Sequence, residues 1–142
     1  MRAVLKDALA QNIRIIANAG GVNPRGCAAA LQALAAELGV SVRIAVVEGD
    51  DVMALLPALR GEGVRELQSA RPLPDKVVSA NAYLGALPIK AALDAGAQVV
   101  ITGRCVDSAV TLGALMHAFE WLSLIHISSP RDRTRSRMPS SA

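Results

Sequence analysis

Apolar residues in this chain fall into two kinds of run. Short runs rich in Ile and Val, without polar alternation, are each followed by a stretch in which apolar positions recur every three or four residues. "NIRIIANAGG", "SVRIAVVEGDD", "KVVSANAYLG" and "AQVVITGRC" are the short runs. They predict strands near residues 13–18, 42–48, 76–80 and 98–102. A strand without alternation is buried on both faces, which implies a parallel sheet covered by helices.

The stretches between them predict the helices. Asn23 suits a cap and Pro24 a first helical position, and Gly39 ends that helix. Ala30, Leu31, Leu34, Ala35 and Leu38 fall on one face of it. "VMALLPALRG" predicts a shorter helix, capped by Asp50 or Asp51 and bent at Pro57. "ALPIKAALDAG" stops at Gly96, and "VDSAVTLGALMHAFEW" is capped by Asp107 or Ser108. A helical turn at residues 3–10 precedes the first strand, and residues 62–75 read as loop. The order β-α-β-α-β-α-β-α fits a three-layer Rossmann-like sandwich on a four-stranded parallel sheet, or part of a larger α/β barrel. Four strands do not close an eight-stranded barrel, so the sandwich is favoured for the chain as written.

Composition narrows the class. The chain is 52% hydrophobic but only 2% aromatic, which suits Ala-rich helices on a sheet and not a base-stacking surface. There is no run of ~18 apolar residues, so no membrane span is expected. Arg2, Lys6 and Asp7 interrupt any leader-like apolar region. Cys27 and Cys105 make neither a disulfide framework nor a zinc pattern, and a reducing cytoplasm is the expected location. The net charge of +3 resides in the C-terminal segment, where Arg131, Arg133, Arg135 and Arg137 face Asp132 alone. The other residues balance to zero, which argues against nucleic acid as a partner.

In parallel α/β folds, ligands meet the loops at the carboxyl ends of the strands. Four loops would line that edge. "NAGGVNP" carries Asn18, Gly20, Gly21 and Asn23, whose backbone suits an anion cradle or else a tight strand-to-helix turn. "EGDD" offers Glu48, Asp50 and Asp51 as acid/base or metal groups, or as helix caps. "NAYLG" holds Asn81 and Tyr83, suited to orienting a polar group, with Tyr83 packed on the sheet edge as the structural alternative. "TGRCVDS" holds Arg104, a counter-ion for an anionic ligand or an ion-pair partner of Asp107 or of the "EGDD" acids. Cys105 reads as a small buried residue, and His117 as structural and away from this edge. The candidate catalytic residues are therefore Glu48, Asp50, Tyr83 and Asp107. The candidate substrate-binding residues are Asn18, Gly20, Gly21, Asn23, Asn81 and Arg104. No metal is assigned, and no cofactor is identified.

"NAGGVNPRGCAAAL", "IAVVEGDDV" and "SANAYLGALPIKAALDAGAQVVITGRCVDSAVTLGALMHAFEW" together resemble the N-terminal domain of the acyclic terpene utilisation (AtuA-like) proteins, from about Ile13 to Trp121. The resemblance implies bacterial breakdown of citronellol- and geraniol-type terpenes, a route that runs through coenzyme A thioesters. It implies a parent that acts on a terpenoid acid or its acyl-CoA thioester, with a homo-oligomer compatible with the full-length parent. A non-catalytic binding or scaffold domain of the same pathway is the alternative. Family members are longer, with strand-loop units before "NAGG" and a large region after "HAFEW". Residues 1–121 are accordingly expected to be a truncated α/β domain, inactive by itself. Cys105 stands where the family usually has Val or Ala, which argues against a thiol role. The segment 122–142 contains "LSLIHI" and "SRMPSSA", which resemble translated sequencing adapter. It is expected to be an unstructured tail that does not pack on the body.

Overall fold

The computed structural model describes residues 1–121, and the expected tail lies outside the described residues. Three parallel strands form the sheet, β1 (Ile15–Ala17), β2 (Ile44–Val47) and β3 (Val99–Thr102), in the order β1-β3-β2. β3 is central and wholly buried. Ile15 and Ile44 both pair with Val99, so side chains in register share a face. The helices are α1 (Leu5–Ala10), α2 (Pro24–Glu37), α3 (Leu56–Gly61), α4 (Leu87–Asp94) and α5 (Asp107–Ala118).

Alternation along β3 divides the core. Val99 and Ile101 join Leu5 of α1 and Leu31 and Ala35 of α2 in one apolar cluster. Val100 joins Ile89 and Leu93 of α4 and Ala109 and Met116 of α5 in another. Both faces of the central strand are thus removed from water, as its unbroken apolar run requires. The helices α4 and α5 approach closely at Gly113, where an added Cβ would lie 2.7 Å from Ile89 Cβ.

Most local signals act as the sequence indicates. Asn23 caps α2 by accepting from the Gly26 N–H at 2.8 Å, and Pro24 opens that helix. Gly39 and Gly96 take positive φ just past the ends of α2 and α4. Ala30 is exposed, so the buried stripe of α2 is narrower than expected.

Three expectations are corrected. The predicted strand at 76–80 does not form. It holds only Val77 and Val78 between Lys76 and Ser79, and Val78 is 98% exposed. A segment with no face to bury gains nothing from joining the sheet. Its neighbours make single bridges instead, Asp51 with Asn81 and Leu84 with Cys105. Second, Pro57 does not bend one helix. It lies in the first turn of α3, which a separate 3-10 turn, Met53–Leu55, precedes. Third, neither Asp107 nor Ser108 caps α5. The cap position is Val106, with no side-chain hydrogen bond, and Asp107 lies within the first turn. No helix among the described residues is long and apolar enough to cross a membrane.

Candidate functional site

Parallel strands leave the sheet at one edge. That edge carries Asn18 after β1, Glu48 after β2 and Arg104 beyond the end of β3. The segment 80–84 is laced across it by main-chain bonds. Val52 N–H donates to Ala80 O at 2.9 Å, and Ala82 N–H to Asp50 O at 2.7 Å. Leu84 N–H donates to Arg104 O at 3.1 Å, and Val106 N–H to Leu84 O at 3.0 Å.

Asp50 is the centre of the arrangement. Its side chain is buried, with the residue 5% exposed. Oδ2 accepts from Asn81 Nδ2 at 2.9 Å and from the Arg104 backbone N–H at 2.8 Å. Gly103 makes room for it, since an added Cβ there would overlap Asp50 Oδ1. One carboxylate therefore ties together three loops that are distant in sequence. A buried carboxylate needs such donors, because an unpaired charge away from water is expensive.

The other two acids of "EGDD" are engaged differently. Glu48 receives both a bond from Arg25 Nε at 2.8 Å and one from Arg25 Nη2 at 2.6 Å. The Glu48 carboxylate raises the Arg25 pKa above its ordinary value. Asp51 Oδ1 accepts from the Met53 N–H, two residues on, at 2.9 Å. The cap positions of the 3-10 turn and of α3 are Val52 and Leu55, neither with a side-chain cap bond, so the expected cap of α3 by Asp50 or Asp51 is not made. Among the described residues, no group of three or more His, Cys, Asp or Glu side chains is placed to hold a metal ion.

A cleft of about 310 Å³ opens between the first two loops and the segment 78–81. Glu48, Asp50, Asp51 and Asn81 line it on the polar side, and Val22, Met53 and Val78 on the apolar side. Gly21 is at its rim, with φ +52°.

The remaining candidates lie elsewhere. Gly20 is a packing glycine, since a Cβ would meet Thr102 O at 2.5 Å. The Asn23 side chain is committed to its cap, and Asn18 is exposed and outside the cleft lining. Arg104 is exposed and its guanidinium does not reach the "EGDD" acids; only its main-chain N–H contacts Asp50. The guanidinium carbon sits 5.7 Å from the Tyr83 ring centroid, and Tyr83 is 59% exposed. Asp107 is exposed at the start of α5. Cys105 is buried, with Sγ 3.5 Å from the Thr102 hydroxyl.

Arg25 is the residue that sequence reasoning missed. Arg in the first turn of a helix opposes the helix dipole, and that misfit was the available signal for a nearby carboxylate. His117 lies at the opposite edge, donating from Nδ1 to Asp94 Oδ1 at 2.6 Å and meeting Arg14 through Nε2.

Neither the curated proteins nor the solved structures yield a significant match to this sequence. A family comparison does: residues 1–124 match the acyclic terpene utilisation family protein AtuA. The match takes in α1, upstream of the motifs that carry the resemblance, and all the loops just described. The chain belongs to the acyclic terpene utilisation (AtuA) family.

Proposed function

We propose that this chain serves acyclic terpene utilisation by holding a terpenoid acyl group in the 310 Å³ cleft, as its coenzyme A thioester in preference to the free acid. The lining of the cleft supports this reading. Asp50 and Asp51, which no cation pairs among the described residues, would repel a carboxylate, whereas a thioester carbonyl is neutral. Val22, Met53 and Val78 offer apolar surface to a branched hydrocarbon chain. The volume falls at the lower end of the range of small-ligand pockets, about 300–1,000 Å³. It suits an acyl group and leaves the coenzyme outside.

If chemistry occurs in the cleft, Asp50 is the candidate acid/base. Its Oδ1 has no hydrogen-bond partner among the described residues, whereas Glu48 and Asp51 are taken up by Arg25 and the Met53 N–H. Those same engagements favour the second reading, a binding domain without catalysis. We place both in bacterial catabolism of citronellol- and geraniol-type terpenes, in a reducing cytoplasm and on a Rossmann-like layered scaffold. The partner is a small molecule and not nucleic acid, and a homo-oligomer is compatible with the parent.

Calorimetric titration of the full chain with citronellyl-CoA and with citronellic acid tests the proposal. The thioester is expected to bind at least about tenfold more tightly, a difference of about 1.4 kcal/mol. Equal or tighter binding of the free acid would overturn it. Deuterium exchange at the carbon next to the thioester carbonyl, present with the native chain and lost with Asp50→Asn, would select the enzyme reading. Binding without exchange would select the other.

A further inference from the structure

We propose that Arg104 and Tyr83 form a platform for a phosphorylated adenine nucleotide at the rim of the cleft, the handle by which an acyl thioester would be gripped. The inference rests on the thioester reading of the cleft.

The first observation is the state of Arg104. Among the described residues, Arg2 and Arg25 are ion-paired, Arg14 meets His117, and Arg43, Arg60 and Arg65 give their guanidinium N–H groups to backbone carbonyls, whereas the guanidinium of Arg104, like that of Arg71, has neither an acid nor a carbonyl partner. Asp50 meets the main-chain N–H of Arg104 and not its guanidinium. The guanidinium is instead placed near an aromatic ring, with its N–H groups available to a phosphate.

The second observation is that the pair is held by backbone, not by chance contact. Leu84 bonds on both sides to the fourth loop, through Arg104 O and the Val106 N–H. Tyr83 is therefore fixed beside Arg104 while remaining 59% exposed. An exposed ring held in place offers a stacking surface to a base at little entropic cost.

The third observation is the uncapped start of α5. No side chain accepts from its first-turn N–H groups, and these lie only three residues beyond Arg104 in the chain. They add partial positive charge near the guanidinium. Asp107, in that first turn, opposes an anion, so its neutralisation should strengthen binding there.

Position connects the platform to the cleft. Asn81 lines the cleft, Tyr83 follows two residues later, and Asp50 accepts from both Asn81 and the Arg104 N–H. A ligand with its acyl group in the cleft would leave at this rim.

Four probes separate the parts: adenosine 3′,5′-bisphosphate, inorganic phosphate, and the citronellyl thioester on coenzyme A or on pantetheine. Each is titrated calorimetrically against the full chain and against Arg104→Met, Tyr83→Leu and Asp107→Asn. The bisphosphate should bind the native chain, weaken about tenfold or more with Arg104→Met and with Tyr83→Leu, and strengthen with Asp107→Asn. Binding of the pantetheine thioester should be unchanged in all three. Equal affinity of the bisphosphate for native and Arg104→Met chains would overturn the platform, as would inorganic phosphate binding as tightly as the bisphosphate. The cleft reading would survive either result if the pantetheine thioester still bound, and would fall if it did not. Both platform side chains are exposed, so unchanged thermal midpoints should accompany these effects.

Discussion

Asp50 Oδ2 accepts from Asn81 Nδ2 across 2.9 Å, joining the loop after β2 to a segment thirty-one residues further along. The same oxygen accepts the Arg104 N–H, so one atom holds the mouth of the cleft in shape. Removing it leaves two donors without their partner in a poorly solvated place. Asp50→Ala should cost about 3 kcal/mol or more, since hydrogen bonds to a charged group contribute about 1.5–3 kcal/mol each. Asp50→Asn should cost less, because its carbonyl still accepts one of them. Urea unfolding of both variants tests this, and an Asp50→Ala midpoint equal to that of the native chain would deny Asp50 its structural role.

The contact between α4 and α5 is made at a glycine. Gly113 to Ala would ordinarily favour a helix by about 0.5–1 kcal/mol. Here the new Cβ would sit 2.7 Å from Ile89 Cβ and 3.0 Å from Ala86 O. Backbone and Cβ atoms move only if the helices part, so overpacking wins. Gly113→Ala should destabilise the chain by about 1–3 kcal/mol. A stabilised variant in thermal unfolding would mean that the helices separate easily.

The fold was legible where burial is decided locally, and the site was not. Val99, Val100 and Ile101 form an unbroken apolar run, and that marks a strand; its central place does not follow from the run, since β2, equally unbroken, lies at the sheet's edge. Asn23 followed by Pro24 announces a helix start without help from the rest of the chain. The segment 76–80 failed because two valines look like a strand in sequence, while strand status depends on a neighbouring edge and a face to cover. The roles of Glu48, Asp50 and Asp51 were illegible for a similar reason. All three are acids in one loop; Asp51 bonds locally, to the Met53 N–H two residues on, and only tertiary partners, Arg25 for one and Asn81 with Arg104 for the other, tell Glu48 from Asp50. For Arg104 the sequence leaves two readings open, a counter-ion for a ligand anion and an ion pair with Asp107 or the "EGDD" acids. Its exposure, with no acid at ion-pairing distance among the described residues, removes the second.

Acid should release one link at the edge opposite the cleft. The Lys90 ammonium, and after it the His117 N–H, hold the Asp94 carboxyl below its ordinary pKa. A carboxyl whose pKa is lowered by folding stabilises the folded state above its unfolded value, about 3.9. That contribution fades as pH falls through the lower folded value. Asp94→Asn should therefore lower the thermal midpoint at neutral pH, and the difference from the native chain should shrink below about pH 3.9 and in high salt. Asp94 is largely exposed, so the effect is small. A difference that grows on acidification would contradict the lowered pKa.

The close approach of Asp50 to Gly103 makes a sharper test of the site than either residue alone. Gly103 N–H donates to Val47 O at 3.0 Å, which continues the β2–β3 pairing past Thr102 and fixes where the backbone runs. A Cβ at 103 would overlap the Asp50 carboxylate, and neither the backbone nor the tied carboxylate is free to yield. Gly103→Ala should thus cost about 1–3 kcal/mol in the native background. The clash is with the carboxylate and not with the rest of Asp50, so in an Asp50→Ala background the same change should cost almost nothing. The two substitutions together should then destabilise by less than the sum of their separate effects, with a coupling of about 1–3 kcal/mol. Unfolding free energies of the four chains in the cycle give that coupling directly. Strict additivity would mean that Gly103 is required for some other reason, and that the carboxylate does not rest where the cleft needs it.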